Sequence, residues 1–145
     1  MDARDGTQAA GNSYWPSLSA DGRYVAFKST AANLVLGDTN GAQDVFVYDR
    51  QTGTAERIVT NAATNMAPQL DLSADGRYVA FVSPTDGLVP GDTNGQPDVF
   101  VYDRSTAQLQ QVAVAYWTSN SDAGMPTISG DGRFVAFTSD ASDLV

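Results

Sequence analysis

Ser73-Ala74-Asp75-Gly76-Arg77-Tyr78-Val79-Ala80-Phe81 decides the fold, because the chain writes it three times. The other copies are Ser19-Ala20-Asp21-Gly22-Arg23-Tyr24-Val25-Ala26-Phe27 and Ser129-Gly130-Asp131-Gly132-Arg133-Phe134-Val135-Ala136-Phe137. Each joins an Asp-Gly step to a run of β-branched and aromatic residues, the short-range signal of a tight β-hairpin with a primed turn.

Around each hairpin the same order of strands recurs. In the first copy strand A is Tyr14–Leu18, B is Arg23–Ser29, C is Asp44–Asp49 and D is Ala55–Thr60. In the second they fall at Gln69–Leu72, Arg77–Ser83, Asp98–Asp103 and Leu109–Val114. Gly22 to Gly76, Gly37 to Gly91 and Asp44 to Asp98 are each 54 residues apart. Strand C is apolar at both alternating positions, so both of its faces should be buried. The third copy supplies strand A near Pro126–Ser129 and B at Arg133–Ser139, and the sequence ends at Val145 before a further strand C. A four-strand unit repeated at this period is the signature of a β-propeller blade. The fold class is therefore all-β, about two and a half blades of four antiparallel strands, completed by oligomerisation. A ten-strand antiparallel sandwich is the competing architecture, disfavoured by repetition of whole four-strand units. The divisions are a polar lead-in at 1–13, read as a loop or frayed end, blade 1 at 14–67, blade 2 at 68–124 and a half-blade at 125–145. Pro16 and Pro126 stand three residues before Ser19 and Ser129, but Pro68 stands five before Ser73, which predicts a bulge or a longer strand A in blade 2.

The chain resembles the TolB-like, or PD40 (WD40-like), β-propeller repeats of bacterial proteins. The resemblance is carried by Pro16–Phe27 and by Asp44-Val45-Phe46-Val47-Tyr48-Asp49-Arg50, with their copies at 68–81 and 98–104. It covers nearly the whole chain and is specific for fold, not function. It implies a binding scaffold or an accessory domain beside a catalytic one, in the periplasm or outside the cell. Closed propellers have four to eight blades, more than this chain holds.

Composition narrows the chemistry. Apolar residues make up 42%, as in a globular chain. There is no Cys and no His, so disulfides, thiol chemistry and the commonest general base are absent. Sixteen Asp against one Glu, with 13 Gly, suit turns and strands rather than helices. The net charge of −9 argues against nucleic acid and anionic membrane as partners. No stretch approaches the roughly 18 apolar residues of a membrane span, and the first residues show no apolar core of a signal peptide. No Ser-His-Asp or Cys-His set, nucleophile elbow or phosphate-binding loop is present, and the Asp residues, mostly at repeat-equivalent turns, form no unique pair for glycoside hydrolysis. The expectation is that the chain is not an enzyme.

Strand parity locates the candidate sites. The A–B and C–D turns share one end of each blade and are short. The B–C and D–A connections share the other, with long loops at 30–43, 61–67, 84–97 and 115–125, where binding residues concentrate. Two loops there carry Asp38-Thr39-Asn40-Gly41-Ala42-Gln43-Asp44 and Asp92-Thr93-Asn94-Gly95-Gln96-Pro97-Asp98. Oxygen side chains at positions 1, 3 and 7 begin like a Ca2+ loop, making Asp38, Asn40, Asp44, Asp92, Asn94 and Asp98 candidate ligands. The glycine falls at position 4, and no bidentate Glu follows; the same residues also suit capping of their own turns. Trp15 and Trp117, each preceded by a tyrosine, Tyr14 and Tyr116, lie near D–A connections and are candidate platforms for a glycan or protein, or packing residues between blades. Arg23, Arg77 and Arg133 after each Asp-Gly step, and Arg50 and Arg104 after strand C, are expected to pair with nearby Asp.

An isolated arc leaves an apolar blade face bare at each end, and Arg133–Ser139 leaves an unpaired strand edge. The expected partner is a second copy of the chain. Two copies supply 20 strands, the equivalent of five blades.

Overall fold

In the computed structural model, which describes residues 7–61, 70–93, 95–113 and 123–139, ten strands and no helices are found among those residues. Blade 1 is a four-stranded antiparallel sheet in the order β1 (Ser13–Leu18), β2 (Tyr24–Ser29), β3 (Asp44–Asp49), β4 (Thr54–Val59). Blade 2 repeats it with β5 (Leu70–Leu72), β6 (Tyr78–Ser83), β7 (Asp98–Asp103) and β8 (Gln108–Ala113). The half-blade is the hairpin of β9 (Ala123–Ile128) and β10 (Val135–Ser139). The registers of the two full blades are copies: Tyr24 faces Asp49 and Tyr78 faces Asp103, Phe27 faces Phe46 and Phe81 faces Phe100.

Strand C is buried on both faces because each blade is packed between layers. Ala26, Val45 and Val47 of blade 1 meet Leu72, Val79, Phe81 and Phe100 of blade 2 in one cluster. On the other side of blade 1, Phe27 and Phe46 stack at 5.7 Å and are covered by Ala31, Leu34 and Ala9. The lead-in is therefore docked, not frayed, over residues 7–12. Asn12 accepts from the Thr30 amide (3.1 Å), and Asn33 Oδ1 accepts from the Ala10 amide (2.7 Å). Gly11 permits this approach, since a Cβ there would stand 2.7 Å from the backbone of Thr30 and Ala31.

The hairpin turn differs from the primed turn expected. The Gly22 amide donates to the Ser19 carbonyl (2.9 Å) and the Ser19 amide to the Tyr24 carbonyl (3.0 Å). Gly22 has φ +68°, whereas Asp21 is not among the positive-φ residues. Primed type I′ geometry needs positive φ at both central residues; this is a longer connection closed by one left-handed glycine. Side chains hold it. Ser19 Oγ donates to Asp21 Oδ1 (2.6 Å), and Asp21 Oδ1 accepts from the Arg23 amide (3.0 Å). The same contacts recur at Ser73–Asp75 and Ser129–Asp131. The serine hydroxyl, then the arginine amide, hold the carboxyls of Asp21 and Asp131 below the usual range, and the serine acts likewise on Asp75.

Register shifts occur in the first and third hairpins. Trp15 and Pro16 together oppose Phe27, and Met125 and Pro126 oppose Phe137. Trp15 and Met125 adopt positive φ there, 51° and 48°. β5 pairs with β6 without a shift from Leu70 to Leu72, and Pro68 lies outside the described residues.

Inner strands are stitched from blade to blade. The Ala20 amide donates to the Ala74 carbonyl (2.8 Å) and the Ala74 amide to the Gly130 carbonyl (3.0 Å). Asp71 links all three sectors: Oδ1 accepts from Ser17 Oγ and Oδ2 from Thr127 Oγ1, both at 2.9 Å.

Candidate functional site

The antiparallel meander puts the two long B–C loops, 30–43 and 84–97, at one end of the blades, opposite the Asp-Gly turns. Tyr14 pairs with Lys28 and Ser13 with Ser29, so the Tyr14–Trp15 pair sits at that same end. Tyr14 is 41% exposed and Trp15 half-buried; their rings are 5.6 Å apart and tilted by 39°. Beneath Trp15, 5.8 Å from its ring centroid, lies the Lys28 ammonium. The aromatic pair is thus partly open and partly seated on a cation. Trp117 and Tyr116 lie outside the described residues.

Lys28 is a feature that pattern reading missed. It is the single lysine of the chain, it occupies a strand position filled by Val82 and Thr138 in the other repeats, and it is fully buried. Nζ donates to the Val82 carbonyl of the next blade (2.9 Å). Burial pushes its ammonium down to about 8. The available signal was its place as the one charged residue in an apolar strand core.

The candidate calcium loops part company chemically. In blade 1, Asp38 and Asp44 are both buried, and one guanidinium nitrogen of Arg57 lies 3.1 Å from Asp38 Oδ1 and 3.2 Å from Asp44 Oδ2. Asn40 Nδ2 donates to Asp44 Oδ1 (3.0 Å) and the Asn61 amide to the same oxygen (2.7 Å), while Asn40 Oδ1 accepts from the Ala42 amide (2.9 Å). Arg57 supplies the positive charge that these carboxylates need.

In blade 2 the residue in register with Arg57 is Gln111, which donates to Asp98 Oδ2 (2.7 Å). Asp92 is 4% exposed, and its carboxyl is pushed up to about 6, first by burial and then by the charges of Asp98 and Asp86. Asp86 Oδ1 is engaged by the Gly95 amide (2.7 Å). Asn94 lies outside the described residues, and among those described no group of three acidic, His or Cys side chains is arranged to hold a metal.

The repeated arginines are structural where their partners are present. Arg23 grips Asp49 through two parallel bonds of 3.1 and 2.7 Å, and Arg77 grips Asp103 at 2.9 and 2.7 Å. This fork holds the Asp49 carboxyl at about 2 and Asp103 below the usual range. Arg50 donates to the Gly22 carbonyl (2.9 Å), not to an Asp; Arg104 donates to the Gly76 carbonyl (2.6 Å) and pairs with Glu56 of blade 1 (3.1 Å).

No protein-family model matches the sequence, and no curated protein is significantly similar to it. Solved structures do match in shape. TolB from Acinetobacter baumannii is 21% identical with a TM-score of 0.59, over 98% of this chain and 32% of that one. The tricorn protease is 19% identical, TM-score 0.61, over 91% and 11%. The oligogalacturonate lyase from Vibrio parahaemolyticus is 15% identical, TM-score 0.55, over 92% and 34%. The chain thus spans about a third or less of the length of these proteins. Repeated four-strand sheets, matching registers and these likenesses agree that the chain has the TolB-like β-propeller fold.

Proposed function

We propose that the chain is a non-catalytic β-propeller module, a binding and self-assembly scaffold whose ligand surface is the end bearing the B–C and D–A loops. The Tyr14–Trp15 pair carries this reading: an aromatic platform at the loop-bearing end, seated over a buried cation and open to solvent on Tyr14. Such a surface suits the apolar face of a sugar ring or a protein side chain. A glycan array and a protein pull-down with Tyr14→Ala and Trp15→Ala test it. Binding lost in both variants, with unchanged thermal stability, supports the platform, and binding retained in both overturns it.

Calcium belongs to this reading at the second loop alone, where neutral Gln111 replaces Arg57. A Ca2+ titration that releases no heat and leaves the melting temperature unmoved ends it. A second reading is an accessory propeller fragment of a larger secreted or periplasmic hydrolase. Its support is that similar structures include the tricorn protease and the propeller domain of the Trilobed protease from Pyrococcus furiosus, of which this chain spans 11% and 34%. The periplasmic or extracellular setting follows from the TolB resemblance.

A further inference from the structure

We infer that two copies of this chain associate head to tail, the half-blade of each seating on the first blade of the other as a blade seats on its neighbour. The inference rests on the self-assembly part of the reading above and adds which surfaces meet.

The interface is already built twice within one chain. Tyr24 of blade 1 packs on Gly76 of blade 2, and Tyr78 of blade 2 packs on Gly132 of the half-blade. The residue that continues the series is Phe134, and it is 66% exposed. The glycine that begins the series is Gly22, and among the described residues no aromatic ring lies on it; the nearest described atom to a Cβ there is Arg50 Nη1 at 3.6 Å. Among the described residues the exposed Phe134 thus matches the open seat at Gly22. Leu18 repeats the pattern in reverse. Its equivalents Leu72 and Ile128 are buried, at 5% and 7% exposure, whereas Leu18 is 55% exposed. The backbone series from Ala20 to Ala74 to Gly130 likewise continues from the Gly130 amide to the Ala20 carbonyl of a second copy.

The shapes agree as well. On the open side of blade 1, Phe27 and Phe46 are already covered by Leu34 and Ala9, so the bare apolar area lies at inner strand β1. The half-blade presents inner strands and nothing outside them among the described residues.

Closure also works by position. A half-blade still fills one angular sector, because the inner strand and its turn set the stitching to the next blade. The three sectors among the described residues give six for two copies, within the four to eight of closed propellers. A strand count of five blade equivalents understates this. The contact is heterologous, and two copies close it into a ring.

Because the chain has no Cys, an Ala20→Cys/Gly130→Cys variant reports the contact directly. The internal pair Ala74→Cys/Gly130→Cys is the control, since a Cβ on Gly130 would lie 3.3 Å from the Ala74 Cβ, near disulfide spacing. The expected result is light scattering at twice the 15.3 kDa chain mass, and an Ala20–Gly130 disulfide that leaves a covalent dimer on a non-reducing gel. Leu18→Asp and Phe134→Asp, both at exposed sites, should each run as monomers, and mixing them should restore a dimer through the one intact contact. A monomeric wild-type chain overturns both the second-copy occupant and the self-assembly reading. A dimer without the cross-link, or one that the mixed variants do not restore, overturns the head-to-tail arrangement while self-assembly stands.

Discussion

Tyr24 lies so close to Gly76 of the next blade that a Cβ on Gly76 would stand 2.3 Å from Tyr24 Cδ2 and 2.8 Å from Cγ. The guanidinium of Arg104 lies 4.4 Å from the same ring centroid and that of Arg23 4.8 Å. The ring cannot swing away without breaking the blade contact. The glycine of the hairpin turn therefore serves two ends, a left-handed backbone and a seat for the preceding blade. Gly76→Ala should cost about 3 kcal/mol, combining backbone strain with overpacking. Gly22→Ala meets the same strain, φ +68° against +73°, with open space beyond it. It should cost about 1 kcal/mol in the single chain, and any further loss should depend on protein concentration. Urea unfolding of both variants at two concentrations separates the effects.

Arg57 stands between two buried carboxylates, and Gln111 stands in its place one blade on. Arg57→Gln leaves Asp38 and Asp44 with an uncompensated charge and should destabilise by about 3 kcal/mol. Gln111→Arg should do the opposite in blade 2, stabilising the chain at neutral pH and lowering the Asp92 carboxyl. Chemical denaturation of the two single variants checks both signs.

Asp92 and Asp49 should act in separate pH windows. The Asp92 carboxyl is raised in the fold from 3.8 to about 6, so the folded state holds its proton longer than the unfolded chain does. Its contribution is favourable below about 4 and is lost as pH rises through 6. Asp49 is lowered from 3.8 to about 2, so its contribution is present above 3.8 and lost as pH falls towards 2. Thermal melts should therefore show stability declining from pH 4 to 6 in the wild type, and Asp92→Asn should remove that decline and raise the melting temperature at pH 7.5. A wild-type curve that rises from pH 4 to 6 and is unaltered by Asp92→Asn would contradict the assignment.

Lys28 should give a third window on the alkaline side. Its ammonium, lowered from 10.5 to about 8 by burial, is harder to charge in the fold, so stability should rise as pH goes from 8 to 10.5. Lys28→Met removes that rise. At pH 7 it loses the bond to the Val82 carbonyl and also the cost of a buried charge, so the net change should stay within about 1 kcal/mol. Denaturant midpoints at pH 7 and pH 10 in both proteins measure it.

The architecture was legible because a propeller blade is a local object. Each strand pairs with the next in sequence, so the period of 54, the order A to D and the burial of both faces of strand C could be read from alternation and turn residues. The turn type was not legible, because Asp-Gly is compatible with a two-residue primed turn and with the longer loop that Ser19, Ser73 and Ser129 close by hydrogen bonds. The bulges escaped for a similar reason: Trp15-Pro16 and Met125-Pro126 share a backbone geometry but no side-chain type beyond the proline.

The sequence by itself determined the repeat, the strand order and the end of the blades that carries long loops, since all three depend on contacts between neighbours along the chain. Only the tertiary structure decided that Arg57 meets Asp38 and Asp44, that Lys28 reaches Val82 54 residues away, and that among the described residues Phe134 and Gly22 are the unmatched members of a series whose inner members are paired. Those relations lie across strands and between blades. Their chemistry depends on which side chains the stacking brings within a few ångströms, and a residue type along one chain does not carry that distance.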